Sequence, residues 1–218
     1  MRIFCDFDGT TAENDVGDRF FQTFAGFEVW QRTVDRYRRG EITSRQYLED
    51  ICAASRFDAG RFEALIKEEK LDAHFPEFVR YCRSRGYPLA ILSDGLDVYI
   101  RRVLENHGLA DVEFFSNRMV HVDSGRIRPQ LPYYGLGCGD CANCKGYHIR
   151  RGRQPGELAV FVGDGISDRC GAGAADLVLA KGELLEWCRE QGMDCEPFDN
   201  FADVMRIVRG LEARLGLA

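Results

Sequence analysis

The chain has 218 residues, a net charge of -6 and 45% apolar side chains, enough for one α/β domain with a modest insertion and a large buried core. The acidic balance argues against a nucleic-acid surface, which needs a concentrated basic face, and no apolar run reaches membrane-spanning length. Nine cysteines, odd in number and mostly scattered, do not make the pattern of a secreted disulfide framework. With no charged-then-apolar leader ahead of the first strand, a cytoplasmic location is expected. Monomer and homodimer stay open.

Arg2 to Phe7 carries Ile3, Phe4, Cys5 and Phe7 and gives way at once to Gly9, Thr10 and Thr11, the pattern of a buried parallel strand. That strand ends on Asp6 and Asp8. Side chains alternate along a strand, but the backbone turns away at its carboxyl end. Both acids can therefore look into the crevice where open α/β sheets bind ligands. Read alone, the same Asp-x-Asp-Gly is equally a plain turn.

From Asp15 to about Lys70 the periodicity becomes helical. Phe20, Phe21 and Phe24 share one face, Phe27, Trp30, Val34 and Tyr37 another, and these aromatic residues read as core. Thr43-Ser-Arg-Gln46 is a capping box, and Phe62, Leu65 and Ile66 mark a last helix. Short helices with no intervening strand predict a cap, residues 15–72, set into a core of residues 1–14 and 73–218.

Phe75, Phe78, Val79 and Cys82 return the chain as an amphipathic helix. Tyr87–Leu92 predicts a second buried strand, and Leu96, Tyr99, Ile100, Val103 and Leu104 a helix. Ser93 and Asp94 lie between the two. A hydroxyl there adds a donor to a helix amino end able to bind an anion, or simply caps the helix. Glu113–Phe115 reads as a short strand and Arg118–Ile127 as a hairpin about Asp123-Ser-Gly125. A glycine-rich segment with Cys138, Cys141 and Cys144 follows, then Lys145 and a helix through His148 and Ile149. Leu158–Val162 and Leu177–Leu179 are further strands, the former running into Gly163-Asp-Gly-Ile-Ser-Asp168. The small residues of Cys170–Ala175 suit a helix packed hard on the sheet. A final helix carries Phe201, Val204, Met205, Val208 and Leu211. Alternating strands and helices predict a doubly wound parallel sheet.

In such a sheet all carboxyl ends share one edge, so Asp6, Asp8, Ser93, Asp94, Asp164 and Asp168 converge. Clustered carboxylates raise one another's pKa unless a cation compensates, which predicts a hard divalent metal; Mg²⁺ fits oxygen ligands and a substrate phosphate. If the helix that Lys145 opens lies beside the site, its positive charge joins a hydroxyl and a helix amino end as the parts of a phosphoryl-transfer site. No G-x-x-x-x-G-K-[ST] loop is present to cradle a nucleotide.

Asp6-Phe-Asp-Gly-Thr10, Ser93, Lys145 and Gly163-Asp-Gly-Ile-Ser-Asp168 resemble, in order and spacing, the four motifs of the haloacid dehalogenase superfamily. The helical insertion resembles the C1 cap of its phosphoserine phosphatase branch. The resemblance implies a Rossmann-like core and an Mg²⁺-dependent phosphatase. Asp6 would be the nucleophile that becomes an aspartyl phosphate, and Asp8 the general acid and base, a role that counts against the dehalogenase branch. Ser93, Asp94 and Lys145 would bind phosphate. The metal would lie on Asp6, Asp8 (through its carbonyl) and Asp164, with Asp168 behind them.

The cysteine segment before Lys145 and the stretch Ser93-Asp-Gly-Leu-Asp97 further resemble the methionine-salvage phosphatases acting on 2-hydroxy-3-keto-5-methylthiopentenyl-1-phosphate. They are similar also to the phosphoethanolamine and phosphocholine phosphatases. A small phosphorylated metabolite is the implied partner. Asp15, at the base of the cap, is either a substrate-pocket acid for an amine or the cap of the first cap helix. Cys138, Cys141 and Cys144 have the spacing of a zinc knuckle, with His148 as a candidate fourth ligand; free thiols are the other reading.

Overall fold

Apolar side chains that alternate along each inner strand fill both faces of one sheet. The structure is a computed structural model and describes residues 1–216. Its strands are β1 (Arg2–Cys5), β2 (Leu89–Leu96), β3 (Glu113–His121), β4 (Ile127–Gln130), β5 (Ala159–Gly163), β6 (Leu177–Ala180) and β7 (Glu196–Pro197). They form a seven-stranded sheet in the order β4-β3-β2-β1-β5-β6-β7, parallel except for β4. Ile3, Cys5, Val160 and Val162 face one apolar cluster, whereas Phe4, Ala159 and Phe161 face the other. That double burial is why these strands read as continuous apolar runs.

The first cluster is covered by α5 (Phe75–Ser84), α6 (Asp97–Asn106) and α10 (Phe201–Leu215), and the second by α7 (Lys145–Gly152), α8 (Arg169–Ala172) and α9 (Gly182–Glu190). Between β1 and α5 run α1 (Val16–Phe24), α2 (Phe27–Arg38), α3 (Ser44–Ala54) and α4 (Ala59–Glu68). The chain enters and leaves this helical segment side by side. Glu13 N–H donates to Lys70 O at 3.0 Å and Asp72 N–H to Thr11 O at 2.9 Å. Thr43 and Gln46 close the capping box at the start of α3. Phe20, Phe21 and Phe24 are buried, with the Phe20 ring 5.8 Å from that of Tyr99 on α6, so the helical segment and the sheet share one apolar core. Phe27 departs from the expected core reading: it is 61% exposed.

Two strands run further than their sequence patterns suggest. β2 pairs with β3 from Ala90 to Leu92, then again at Leu96 opposite Asn117, and Ser93, Asp94 and Gly95 bulge out between. Helix α6 begins only at Asp97, with Leu96 as a cap that lacks a side-chain bond. Ser93 therefore sits on a strand bulge and is not the cap of a helix. β3 runs on from the short predicted strand into the first arm of the predicted hairpin, whose turn at Asp123-Ser-Gly125 leads back into β4, paired antiparallel from Arg118 opposite Gln130 to His121 opposite Ile127. β7, two residues long, is too short to leave a periodic signal.

Candidate active site

Beyond β1 the backbone makes an irregular turn from Phe7 to Thr11, with Gly9 at φ +69°. A Cβ on Gly9 would lie 2.6 Å from Asp164 Oδ2, so the turn approaches the end of β5 closely only because residue 9 is glycine. Asp6 is buried at the end of β1. Its Oδ1 accepts from Phe7 N–H at 2.7 Å and pairs with Lys145 Nζ at 2.6 Å. Lys145, 1% exposed, also pairs with Asp168 Oδ1 at 2.5 Å and donates to Ser167 Oγ at 3.1 Å. Asp168 Oδ2 accepts from the N–H groups of Asp164 and Gly165, each at 2.9 Å. Both oxygens of Asp168 are thus committed to holding Lys145 and the turn after β5. Thr10 Oγ1 donates to Asp164 Oδ1 at 2.6 Å.

Asp8 Oδ1 accepts from Gly17 N–H at 3.0 Å on α1, while Oδ2 lies 3.4 Å from Ser93 Oγ and 3.5 Å from Tyr99 OH. Ser93 Oγ in turn accepts from Gly95 N–H at 3.0 Å. Asp94, predicted among the phosphate-binding groups, instead has both oxygens held by protein donors. Asn143 N–H donates to Oδ1 at 2.7 Å, and Ser44 Oγ donates to Oδ2. Asp15 caps α1, accepting from Asp18 N–H at 2.6 Å, and also lines the cavity described next.

A cavity of about 440 Å³ opens over these groups. Asp6, Asp8, Asp94 and Asp164 line it from the sheet, and Asp15, Phe21, Val34, Tyr37, Tyr47 and Leu48 from the helical segment. Arg38 on α2 reaches Glu183 on α9 at 3.3 Å, an ion pair between two residues of the cavity wall.

Burial raises the Asp6 carboxyl well above its usual range; the Asp168 charge adds to this and Lys145 opposes it. Burial lifts Asp8 to about 6 against the pull of the Gly17 N–H. Burial and the neighbouring Asp168 lift Asp164 to about 6. For Lys145 burial works downward, but Asp168 and Asp6 outweigh it and raise the ammonium above its ordinary value. Oxygens of Asp6, Asp164 and Asp168 lie within 4.8 Å of one another. One lysine does not offset that many acids, and the all-oxygen donor set is one a hard divalent cation fits.

This cluster has a measurable signature. A carboxyl whose folded pKa exceeds its unfolded value contributes stability in full below about pH 4. For Asp164 that contribution is lost as the pH rises to about 6. In the presence of a chelator, Asp164→Asn is expected to melt several degrees above wild type at neutral pH, the gap closing toward pH 4. Mg²⁺ should raise the melting temperature of wild type and leave the variant nearly unmoved. Scanning fluorimetry checks both, and a gap that ignores pH would rule out the repulsion.

Some of the site is not visible in motifs. Asn143 Nδ2 donates to the carbonyls of Ser93 at 2.8 Å and Phe115 at 3.0 Å, pinning the β2 bulge from the cysteine segment. Ser44 bonds Asp94 and also accepts from Ala142 N–H at 3.1 Å, tying α3 to the same place. Tyr99 carries its hydroxyl to Asp8 from a position that reads as helix core. The nearest sequence signal was the polar Asn143 between two ligand-type cysteines. His148 is turned away from those cysteines: its Nε2 lies 2.6 Å from Asn143 Oδ1, and its ring stacks on Phe115 with centroids 4.7 Å apart. Cys138, Cys141 and Cys144 are instead joined by Cys170, which the sequence pattern left among the scattered thiols. Among the described residues, no helix is long and apolar enough to cross a membrane.

Comparison with known proteins matches this geometry to relatives. The chain is 32% identical over 217 residues to 2-hydroxy-3-keto-5-methylthiopentenyl-1-phosphate phosphatase of Geobacillus kaustophilus, covering 96% of each chain. It is 30% identical to the protein of the same name from Brevibacillus brevis, again over 96% of each. A solved phosphoserine phosphatase, captured as an analogue of its phospho-aspartyl intermediate, shares the fold with a TM-score of 0.70 at 23% identity, over 94% of this chain and 97% of that one. Residues 3–172 match the haloacid dehalogenase-like hydrolase family. The chain belongs to that family.

Proposed function

We propose that the protein hydrolyses a small phosphate monoester through an aspartyl phosphate on Asp6. The observation that carries this reading is the meeting of Asp6, Asp8 and Asp164 at one cavity on the carboxyl edge of the sheet, with the buried Lys145 paired to Asp6 behind them. Lys145 and Phe7 N–H engage Asp6 Oδ1, which leaves Oδ2 to attack phosphorus. As the new P–O bond forms, the ester P–O bond breaks and the leaving oxygen takes the proton held on Asp8. A carboxyl lifted to about 6 retains that proton far nearer neutrality than a free aspartate. Asp8, now ionised, accepts a proton from water as the water oxygen attacks phosphorus, and inorganic phosphate leaves with Asp6 restored.

Asp6, the main chain at Asp8, and Asp164 are the residues that would hold Mg²⁺, with Asp168 bracing them. When bound, the cation offsets the charge on Asp6 and the phosphoryl oxygens. In this reading Ser93 Oγ, beside Asp8, and Lys145, beside Asp6, would donate to those oxygens. Residues 15–72 act as a cap that excludes bulk water.

The relatives' names and the apolar wall of Phe21, Val34, Tyr37 and Leu48 favour 2-hydroxy-3-keto-5-methylthiopentenyl-1-phosphate, whose methylthio tail suits such a wall. An amine-bearing substrate, such as phosphoserine, phosphoethanolamine or phosphocholine, is the second reading, supported by Asp15 and Asp18 in the same cavity. Asp94 contributes little to it, because its oxygens already have partners. Phosphate release from a panel of these esters with Mg²⁺ decides. The enolizable thioether ester should have the highest kcat/KM by at least about tenfold, the worth of a few buried methylenes. A preference of that size for an amine ester would transfer the assignment to the second reading.

A leaving group that needs no protonation separates the two duties of Asp8. With p-nitrophenyl phosphate, Asp8→Asn is expected to give a burst of nitrophenol followed by slow turnover, since only the water step still needs the base. Slow nitrophenol release with no burst would place the defect before phosphoenzyme formation.

A further inference from the structure

Four cysteine sulfurs that the proposed reaction does not use meet on the α7–α8 side of the sheet. The Sγ atoms of Cys138, Cys141, Cys144 and Cys170 lie within 4.8 Å of one another, and all four cysteines are free. Cys141 Sγ and Cys170 Sγ are 3.8 Å apart. A disulfide would bring two sulfurs to about 2.05 Å. Four thiolates about 2.3 Å from one tetrahedral Zn²⁺ stand about 3.8 Å from each other. Ligands of a multi-iron cluster, each on a different iron, are spread more widely than this group.

The surrounding backbone fits charged sulfur. Cys141 N–H points at Cys138 Sγ at 3.4 Å, as a Cys-x-x-Cys turn does around a ligand. Cys144 is the cap residue of α7, whose amino end favours a thiolate. A Cβ on Gly146 would lie 2.4 Å from the Cys170 carbonyl, so α7 meets α8 closely enough for Cys170 to join the other three. His148 has its own partners, Asn143 and Phe115.

We propose that Cys138, Cys141, Cys144 and Cys170 bind one Zn²⁺ as four thiolates, each giving up its proton, with no redox change. The ion fastens the segment that delivers Lys145 to the helix that follows Asp168. Cys144 immediately precedes Lys145, Cys170 lies two residues beyond Asp168, and the two charged groups pair at 2.5 Å. The role is structural, a brace for that ion pair, and it stands whether or not the phosphatase reading does.

Elemental analysis of the purified full chain tests it, after a brief EDTA wash to strip oxygen-bound ions. About one zinc per chain is expected, released in step with mercurial titration of four thiols and reported by a chromogenic chelator. Replacement by Co²⁺ should give the ligand-field bands of a tetrahedral tetrathiolate. Cys170→Ser should lose the metal and His148→Ala should keep it; the thiol titration of wild type needs neither variant to fold. Thiols that alkylate freely with no zinc bound, a disulfide among them, or iron in place of zinc would overturn the proposal. Zinc lost from His148→Ala but kept by Cys170→Ser would overturn the ligand set.

Discussion

Asp6→Asn is expected to abolish phosphate release, by on the order of 10³-fold or more, while the protein stays folded. Asparagine keeps an oxygen for the Phe7 N–H that now bonds Asp6 Oδ1 at 2.7 Å, and it removes one of the acids crowding Asp168 and Asp164. What it loses is the carboxylate proposed to attack phosphorus. The melting temperature should therefore hold or rise as activity disappears, a separation that a purely structural aspartate would not show. Acid-quenched wild type, caught in turnover and examined by mass spectrometry, should carry phosphate on the peptide containing Asp6, and the variant none. A variant with a tenth of wild-type activity would rule out Asp6 as the nucleophile.

Lys145→Met should damage both stability and activity. Lys145 is fully buried between Asp6 and Asp168, and removing one partner of a buried ion pair costs about 3–5 kcal/mol because the remaining charges are left uncompensated. The folded ammonium has a pKa above its unfolded value. Its contribution is thus complete below about pH 10.4 and is lost only as the pH rises past that point. In wild type the lysine therefore stabilises the fold across the whole neutral range. In the variant, Asp6 can relieve its repulsion with the neighbouring Asp168 charge only by binding a proton, so the deficit should shrink as the pH falls. Adding Asp168→Asn should recover part of the melting temperature but none of the turnover, because the charge opposite the phosphoryl group is still absent. Chemical denaturation at two pH values together with single-turnover assays reads both effects. A double variant no more stable than Lys145→Met would show that the two residues are not coupled.

Much of this protein follows from local pattern. The apolar runs of β1 and β5 mark doubly buried strands, and both end on acids that only a cation or a lysine makes tolerable. The capping box at Thr43 fixes where α3 begins, and the 3.6-residue periodicity of α5, α6 and α10 shows which face each buries. Strand direction places Asp6, Asp8 and Asp164 together before any coordinates are known, because parallel strands put their carboxyl ends on one edge; Lys145, at the start of a helix, joins them in the sequence only through the motif resemblance.

The remainder depended on contacts between residues far apart in the chain. The bulge that carries Ser93 and Asp94 exists because β2 pairs with β3 on both sides of it, a long-range match that no local window contains. Asp94 reads as a ligand for substrate until Asn143 and Ser44 are seen to hold it. Asp168 reads as a group behind the metal ligands, and only the fold shows what occupies its oxygens there, Lys145 and two backbone N–H groups. The cysteine cluster gained Cys170 and lost His148 for the same reason. Spacing along the chain predicts ligands that come from one turn, whereas the fourth sulfur arrives on a different helix, brought there by the packing of α7 on α8. The sequence alone determined the chemistry available at the sheet edge, through residue type and strand direction; tertiary packing decided which polar groups are free to act and which are held by others.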